Sequence, residues 1–390
     1  MVEVEDVLRR LRRYPDVEAV NLFAVDAADR LMLDVAADSL TAAGGIDSRL
    51  GRGGRVAVID DGYGALTLGA IAAHDLHGVR VHQDLLTGEL ALANNARIVG
   101  FTDRFTTHEL GPELLGDVRV VLWRLPRALS GLAETAEAIA RFAAPEVEVF
   151  AGGRDKYLTP AMNEVLAESF GSVRASRGRQ KSRILLASDP KSIGEPRFPV
   201  RNRLDDRDLD VVAHGAAFSG PRLDIGTRFL LDYLERMKPD ARDAIDLGCG
   251  TGILAAALAK ARPGIRVTAT DQSAAAVAST RATAAANGVA DRITVLQDDA
   301  MSSAPDNSAD LVLCNPPFHV GAAVHTGSAI KMFQQTGRVL RPGGELWTVY
   351  NTHLNYRGVM ERMVGKTDVM GRNRKFTVTR SVRGLHDAEQ

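Results

Sequence analysis

Short runs of apolar residues alternate with alanine-rich stretches along the second half of this 390-residue chain. The runs have the length of buried strands, and the stretches between them repeat apolar positions at helical spacing. The pattern predicts strands at 244–247, 266–270, 293–296, 311–314 and 345–350, with helices at 253–261, 274–287 and 329–340. We expect Pro342-Gly343-Gly344 to end the last helix. Alternating strands and helices predict a parallel, doubly wound sheet with helices on both faces.

The first half of the chain shows a similar alternation, with predicted strands at 55–59, 79–82, 118–123 and 146–150. When the halves are compared, Asp60-Asp61-Gly62-Tyr63-Gly64 falls on Asp246-Leu247-Gly248-Cys249-Gly250, Asp84 near Asp271, and Arg124-Leu125-Pro126 near Asn315. This match indicates an internal duplication with a period of about half the chain. We therefore predict an α/β fold of two tandem Rossmann-like domains. The first is degenerate, because it lacks the third glycine and the polar loop, and the second is catalytic.

The segment 188–206 separates the two halves. It carries three prolines and no apolar periodicity, which is typical of a linker or crossing loop. We therefore expect an N-terminal domain at 1–187, a linker at 188–206 and a catalytic domain at 207–390.

The composition is that of a globular protein, with 45% apolar and 25% charged residues. No apolar run approaches the roughly 20 residues that cross a bilayer. The first residues do not have the basic and apolar regions of a secretory signal, and two cysteines cannot form a disulfide framework. We expect a cytoplasmic monomer that does not bind a membrane.

The net charge of −1 gives no support of its own to nucleic-acid binding. Basic residues nevertheless cluster at 9–13, 174–183 and 372–383. Each cluster is either a solvated face or a contact for nucleic acid, and the sequence leaves both interpretations open.

The segment Asp246-Leu247-Gly248-Cys249-Gly250-Thr251-Gly252 follows a predicted strand and opens a predicted helix. Glycines let the backbone approach a ligand closely, and the start of a helix offers unpaired N–H groups. The G-x-G-x-G spacing differs from the G-x-G-x-x-G of dinucleotide sites, and the acid inside the loop suits a cationic ligand without phosphate. Asp246, Gly248, Gly250 and Gly252 are therefore candidate cofactor-binding residues.

Acidic residues also follow the next two predicted strands. Asp271 is placed to accept both hydroxyls of a ribose. Asp299 is the candidate to accept from an adenine amino group, with Asp298 in reserve. Each acid alone is equally well a turn residue at a strand end, whereas acids after three consecutive strands favour a cofactor that contains a nucleoside.

Asn315-Pro316-Pro317-Phe318 follows the fourth predicted strand. An amine conjugated to a purine or a carbonyl is a poor nucleophile, because its lone pair is delocalised. The side-chain oxygen of Asn315 and the carbonyl of Pro316 can each accept one N–H of such an amine, and the two prolines fix the loop. Phe318 offers a face on which a planar base can stack. These four are the predicted catalytic residues, and no proton-abstracting base is required.

Together, these residues resemble the class I S-adenosylmethionine-dependent methyltransferases that use an Asn-Pro-Pro-aromatic loop, over residues 218–380. The segments 218–229, 315–319, 351–356 and 373–376 are similar to those of the bacterial ribosomal RNA guanine-N2 methyltransferases. Members of this family pair an inactive methyltransferase-like N-terminal domain with an active C-terminal one. Residues 122–126 and 223–229 look more like the large-subunit branch, methyltransferase G, than the small-subunit branch, methyltransferase C.

This resemblance implies methyl transfer from S-adenosylmethionine to the exocyclic N2 of a guanine in rRNA, with 23S rRNA favoured over 16S rRNA. It implies that Phe218 and Thr227 help to bind the cofactor and that the first domain docks RNA. It further implies that His319, His353 and Lys375 contact the substrate, although a histidine at a strand end or turn is equally well structural.

Three other functions remain open on the residues alone. The Asn-Pro-Pro loop also serves amide nitrogens, as in protein glutamine N5-methyltransferases, and it serves adenine N6 or cytosine N4 of DNA. A chain that merely keeps the fold would be an RNA-binding assembly factor. His and Cys lack ligand spacing, so we expect no metal site. Cys249 and Cys314 are best explained by packing.

Overall fold

The computed structural model describes residues 3–44, 54–317 and 322–384, and only the backbone of residues 322–326. The chain divides into two compact units, Met1–Phe198 and Pro199–Gln390. The division lies inside the segment 188–206, which includes the end of one strand of the first unit and a whole strand of the second. The limits of the functional domains remain predictions.

The first unit is built on a seven-stranded sheet. Its strands are β1 (Val56–Ile59), β2 (Val79–His82), β3 (Phe105–Thr107), β4 (Val120–Arg124), β5 (Glu148–Arg154), β6 (Phe170–Ala175) and β7 (Ser182–Pro190). Its helices are α1 (Val4–Arg10), α2 (Ala27–Val35), α3 (Ala37–Ala43), α4 (Ala65–His74), α5 (Leu86–Val99), α6 (Pro112–Leu115), α7 (Leu129–Phe142) and α8 (Pro160–Ser169).

The second unit contains a two-stranded sheet and a second seven-stranded sheet. The small sheet consists of β8 (Val200–Leu204) and β9 (Leu209–Ala213). The strands of the large sheet are β10 (Asp243–Leu247), β11 (Arg266–Asp271), β12 (Ile293–Gln297), β13 (Ala309–Cys314), β14 (Leu340–Asn351), β15 (Gly365–Arg372) and β16 (Phe376–Arg383). The helices are α9 (Ile225–Leu231), α10 (Ile253–Ala261), α11 (Ala274–Ala286), α12 (Ala322–Val339) and α13 (Arg357–Met363).

The two large sheets have the same strand order. It is β3-β2-β1-β4-β5-β7-β6 in the first unit and β12-β11-β10-β13-β14-β16-β15 in the second. Five strands of each sheet run parallel, and the last two pair antiparallel, as in β14–β16 and β15–β16. The predicted fold class of two tandem Rossmann-like domains is therefore confirmed. In such sheets the ligand crevice lies at the carboxyl ends of the strands where the order reverses, here between β10 and β13.

The last helix ends within one residue of its predicted end, but the predicted role of Pro342-Gly343-Gly344 in ending it is wrong. Helix α12 ends at Val339, and β14 runs through Pro342-Gly343-Gly344. The pairing of β13 with β14 shifts register at this point, since Ala309 pairs with Leu340 and Leu311 with Glu345. A bulge tolerates a proline because its missing N–H is not needed by the ladder. The Pro-Gly-Gly sequence therefore interrupts a strand and does not end a helix.

Side chains of β13 alternate between two buried faces. Leu311 and Leu313 belong to one apolar cluster, and Val312 and Cys314 to another on the opposite face. A parallel sheet covered on both faces leaves its carboxyl edge for function. Among the described residues, no helix has the length and apolar character needed to span a membrane.

Candidate active site

The glycine-rich loop of the second unit joins β10 to α10. Gly248, Gly250 and Gly252 have φ values of +74°, +55° and +76°, a region that favours glycine. A Cβ at Gly252 would lie 3.0 Å from the Cα of Thr280, whereas a Cβ at Gly250 would meet nothing within 4 Å. The loop is therefore packed tightly at its end and leaves open space at its middle.

Asp246 lies fully buried in β10, directly below this loop. Its Oδ2 accepts a hydrogen bond of 2.9 Å from the N–H of Ala255, and its Oδ1 has no partner among the described residues. The pKa of Asp246 is raised to about 7, mainly by burial and also by the negative charge of Asp271. An unpaired buried carboxylate oxygen is unfavourable unless a ligand supplies a donor or a positive charge. Asp246 therefore suits a cationic ligand.

Asp271 ends β11 and is joined to the glycine loop. Its Oδ2 accepts a hydrogen bond of 3.0 Å from the N–H of Gly250, and its Oδ1 accepts one of 3.0 Å from the N–H of Ser273. These bonds fix the carboxylate beside the open middle of the loop. A role of Asp271 toward a ribose remains a prediction.

Asp298 and Asp299 follow β12 and have different partners. The carboxylate of Asp298 accepts from the hydroxyls of Ser302 and Ser303 at 2.6 and 2.7 Å, and so closes a turn. Asp299 forms an ion pair with Lys331 of α12. The predicted roles of both acids toward an adenine stay predictions, and Lys331 is a neighbour that the sequence did not indicate.

Asn315 follows β13 and is held by the start of α9. Its Nδ2 donates to Oγ1 of Thr227 at 2.9 Å and to Oδ2 of Asp224 at 3.2 Å. Its Oδ1 is buried without a partner among the described residues. Cys314 of β13 pairs with Leu247 of β10, and these strands are adjacent and parallel. The next residue of each strand, Asn315 and Gly248 respectively, therefore lies at the same end of the sheet. The structure thus brings the amide and the glycine loop to one sheet edge.

Two other predicted residues lie at this edge. His353 is in the turn Thr352–Leu354 after β14, and Lys375 comes just before β16. The N–H of Thr352 donates to the carbonyl of Lys375 at 2.9 Å, so the two segments are adjacent. Their contacts with a substrate remain predictions.

The remaining predicted residues have less structural context. Phe318 and His319 lie outside the described residues, whereas Pro316 and Pro317 follow Asn315 directly. Phe218 is exposed between β9 and α9. The predicted catalytic roles of the two prolines and of Phe318 remain predictions, as does the cofactor contact of Phe218.

Asp224 is a site residue that was not predicted from the sequence. It is the N-cap of α9, where its side chain accepts from the N–H groups of Gly226 and Thr227. An Asp directly before a helix is a recognisable cap signal. Its second role, as a partner of Asn315, depends on an approach between segments 91 residues apart, which no local pattern indicates.

The register of the first unit corrects the alignment of the two halves by two residues. Ile59 pairs with His82 as Leu247 pairs with Thr270. The helices that follow are N-capped by Gly64 and Gly252. The corresponding residues are therefore Asp60 and Gly248, Asp61 and Cys249, Gly62 and Gly250, Gly64 and Gly252, Gln83 and Asp271, and Arg124 and Asn315. The glycine that the first unit lacks is thus the first of the three, and the prediction that it lacks the third is wrong.

The first unit keeps the frame of this site and changes its chemistry. The buried carboxylate of Asp61 accepts from the N–H groups of Leu66 and Thr67 at 2.8 Å each, inside the loop. Arg124 takes the place of Asn315 and forms ion pairs with Asp26 and Asp29 at the start of α2. A guanidinium offers no acceptor for an amine. This accounts for the degenerate character of the first unit.

Neither cysteine of the second unit is suited to nucleophilic chemistry. Cys249 and Cys314 are both buried, and burial raises the pKa of both thiols. Within the described ranges, no group of three or more His, Cys, Asp or Glu side chains is arranged to hold a metal ion.

The chain is similar to known proteins along its whole length. A model of the RLMG N-terminal domain matches residues 2–191, and a model of the methyltransferase small domain matches residues 208–380. Ribosomal RNA large subunit methyltransferase G of Streptomyces coelicolor is 34% identical over 385 residues, which cover 96% of this chain and 98% of that protein. The protein of the same name from Ectopseudomonas mendocina is 35% identical over 375 residues, which cover 95% and 96%.

One solved structure matches the chain over nearly its whole length. It is a 16S rRNA N2 G1207 methyltransferase of T. thermophilus, in complex with AdoMet and guanosine. The TM-score is 0.67, and the match covers 97% of this chain and 99% of that one at 20% identity. At this identity the likeness supports the fold alone.

Proposed function

The chain belongs to the ribosomal RNA large subunit methyltransferase G family, and from this membership we propose that its second unit methylates the exocyclic N2 of a guanine in 23S rRNA. The observation that carries the chemistry is the unpaired, buried Oδ1 of Asn315 at the same sheet edge as the glycine loop. The choice of 23S over 16S rRNA rests on the family relatives.

The residues of the second unit fit S-adenosylmethionine as the cofactor. The open middle of the loop at Gly250 admits a ligand close to the backbone, and the unpaired oxygen of Asp246 lies below it. Asp271, fixed by Gly250, is the acceptor for ribose hydroxyls. The cofactor supplies an electrophilic methyl group on a sulfonium, and an ammonium whose charge suits Asp246.

Asn315 is suited to orient an amine that is a poor nucleophile. Its Oδ1 accepts one N–H of the guanine amine, and the carbonyl of Pro316 accepts the other. These bonds favour a tetrahedral nitrogen with its lone pair toward the methyl group, so that alignment supplies much of the rate. The proton of the methylated amine leaves to water. The target base must leave its helix or lie in a loop to reach the site.

Methylation of 23S rRNA tests this function directly. We expect the purified protein to transfer labelled methyl groups from S-adenosylmethionine to rRNA, with N2-methylguanosine as the only new nucleoside by mass spectrometry. Loss of the gene should remove one N2-methylguanosine from 23S rRNA. A product in 16S rRNA, DNA or protein glutamine would contradict the assignment. Action as a monomer, in the cytoplasm and without a metal ion, completes the proposal.

Cofactor binding should weaken at acid pH. In the protein without cofactor, Asp246 has a pKa of about 7. Below that pH, its carboxyl group must lose a proton before it can pair with a cation. The dissociation constant of S-adenosylmethionine should therefore rise about tenfold from about pH 8 to about pH 6. Calorimetric titration in buffers of different ionisation enthalpy would measure both the affinity and the proton released.

The variant Asp246→Asn serves as the control for this pH dependence. It keeps the size of the side chain and an oxygen for the N–H of Ala255, but it does not titrate. Its affinity should be lower at high pH and nearly independent of pH. An equally steep dependence in the variant would assign the titration to another group.

A further inference from the structure

The carboxamide of Asn315 is held in one orientation by two acceptors. Its Nδ2 lies 2.9 Å from Oγ1 of Thr227 and 3.2 Å from Oδ2 of Asp224. An ionised carboxylate accepts hydrogen bonds and cannot donate them, so the amino half of the amide must face Asp224. The oxygen half therefore faces away from α9, where Oδ1 is buried without a partner among the described residues.

Both acceptors are fixed by their own surroundings. Oδ2 of Asp224 accepts from the N–H groups of Gly226 and Thr227 at 2.9 and 3.1 Å, which caps α9. Gly226 packs against Phe376, since a Cβ at this glycine would lie 3.2 Å from the ring. The start of α9 is therefore held against β16 as well as capped.

The first unit holds the corresponding three positions with different chemistry. Asp26 caps α2 through the N–H groups of Ala28 and Asp29, as Asp224 caps α9. Asp29 is the third residue of its helix, as Thr227 is, and Arg124 stands where Asn315 does. A guanidinium is thus matched with a second carboxylate, and a neutral amide with a hydroxyl. In each unit, the residue at the third helical position therefore suits its partner: Asp29 pairs with the charged guanidinium of Arg124, and Thr227 accepts from the neutral amide of Asn315.

We infer that Asp224 and Thr227 are positioning residues for methyl transfer, which fix the Asn315 carboxamide with its oxygen toward the target amine. This inference rests on the proposed function. Without the two acceptors, the amide rotates about its last side-chain bond and presents its N–H groups to an amine that needs an acceptor. Thr227 then acts through Asn315, whereas the family resemblance implied that it helps to bind the cofactor.

Substitution of Thr227 separates these roles. Thr227→Val keeps the shape and removes the hydroxyl, and should lower kcat for rRNA methylation about tenfold, the effect of one lost hydrogen bond. The KM for RNA and the dissociation constant of S-adenosylhomocysteine should stay within about twofold. Thr227→Ser restores the hydroxyl and should recover the lost turnover. In the Asn315→Ala background, Thr227→Val should cause no further loss in single-turnover assays.

Two more variants complete the experiment. Thr367→Val removes another buried hydroxyl of this unit, which bonds Ser381 at 2.8 Å, and should leave kcat unchanged. Asp224→Ser keeps a residue that caps helices well but shortens the side chain, and should lower kcat as Thr227→Val does. It therefore tests the inference even if Thr227→Val does not fold.

Three results would overturn the inference. They are unchanged turnover in both Thr227→Val and Asp224→Ser, weaker S-adenosylhomocysteine binding at unchanged kcat, or an equal loss in the Asn315→Ala background. In each, the wild-type protein still methylates rRNA and the proposed function stands. A wild-type protein that transfers no methyl group to rRNA would overturn the proposed function, and this inference with it.

Discussion

Replacement of Asn315 by alanine should lower the rate of rRNA methylation by about a thousandfold, at the upper end for the loss of one preorganised polar group. The Oδ1 of Asn315 is a buried acceptor that follows β13 at the sheet edge, and alanine has no atom to replace it. Cofactor binding should be retained, because the glycine loop, Asp246 and Asp271 are joined by bonds that do not involve Asn315. Transfer of a labelled methyl group and calorimetry with S-adenosylhomocysteine measure the two effects.

Asn163→Ala provides the matched control for this variant. Asn163 is partly exposed on α8 of the first unit, where its amide donates a long hydrogen bond of 3.5 Å to the carbonyl of Pro160. Its loss should change neither methylation nor binding. Undiminished labelling of rRNA by Asn315→Ala would show that Asn315 is not a catalytic residue. Loss of S-adenosylhomocysteine binding would show that Asn315 instead supports the structure of the cofactor site.

The sequence predicted those parts of the site that are encoded locally. The limits of α10 agree with the prediction, and the strand before it is predicted to within one residue. An apolar run, three glycines and an alanine-rich helix lie within 20 residues, so each signal supports the next. The meeting of Asn315 with the loop followed from the rule that parallel strands place their carboxyl ends at one edge.

Features that depend on distant segments were missed or misplaced. The contact of Asp224 with Asn315 joins residues far apart in the chain, and the pairing of Asp299 with Lys331 depends on how α12 packs. The comparison of the two halves was displaced because it matched acid to acid. Thr67 corresponds to Ala255, and the N–H of each donates to a buried aspartate. Asp61, the acceptor in the first unit, nevertheless corresponds to Cys249 and not to Asp246. Similar bonds therefore arise from positions that do not correspond.

Arg124→Met should destabilise the first unit by about 3–5 kcal/mol, because it removes one partner of a buried ion pair. The side chain of Asp29 is 4% exposed and that of Arg124 is 27% exposed. Without the guanidinium, the carboxylate of Asp29 stays buried and has no cation beside it. The nearby carboxylate of Asp26, which is 31% exposed, then repels it as a like charge. For a domain of this size, the thermal transition of the unit should fall by about 10 °C in differential scanning calorimetry.

The loss caused by Arg124→Met should also depend on pH. Burial raises the pKa of Asp29 to about 7 even beside Arg124, and removal of the arginine raises it further. A carboxyl with a raised pKa in the folded state favours folding when protonated, and that contribution is lost as the pH rises from its unfolded pKa through its folded one. The wild type loses this contribution up to about pH 7 and the variant up to a higher pH, so the difference in stability between them should be smallest below about pH 7 and grow above it. Arg119→Met, which breaks an exposed pair with Glu146, should cost less than about 1 kcal/mol on either side of that pH. Equal effects of the two substitutions would mean that Arg124 does not neutralise a buried charge. The arginine at this position, which corresponds to Asn315 of the second unit, would then need another explanation.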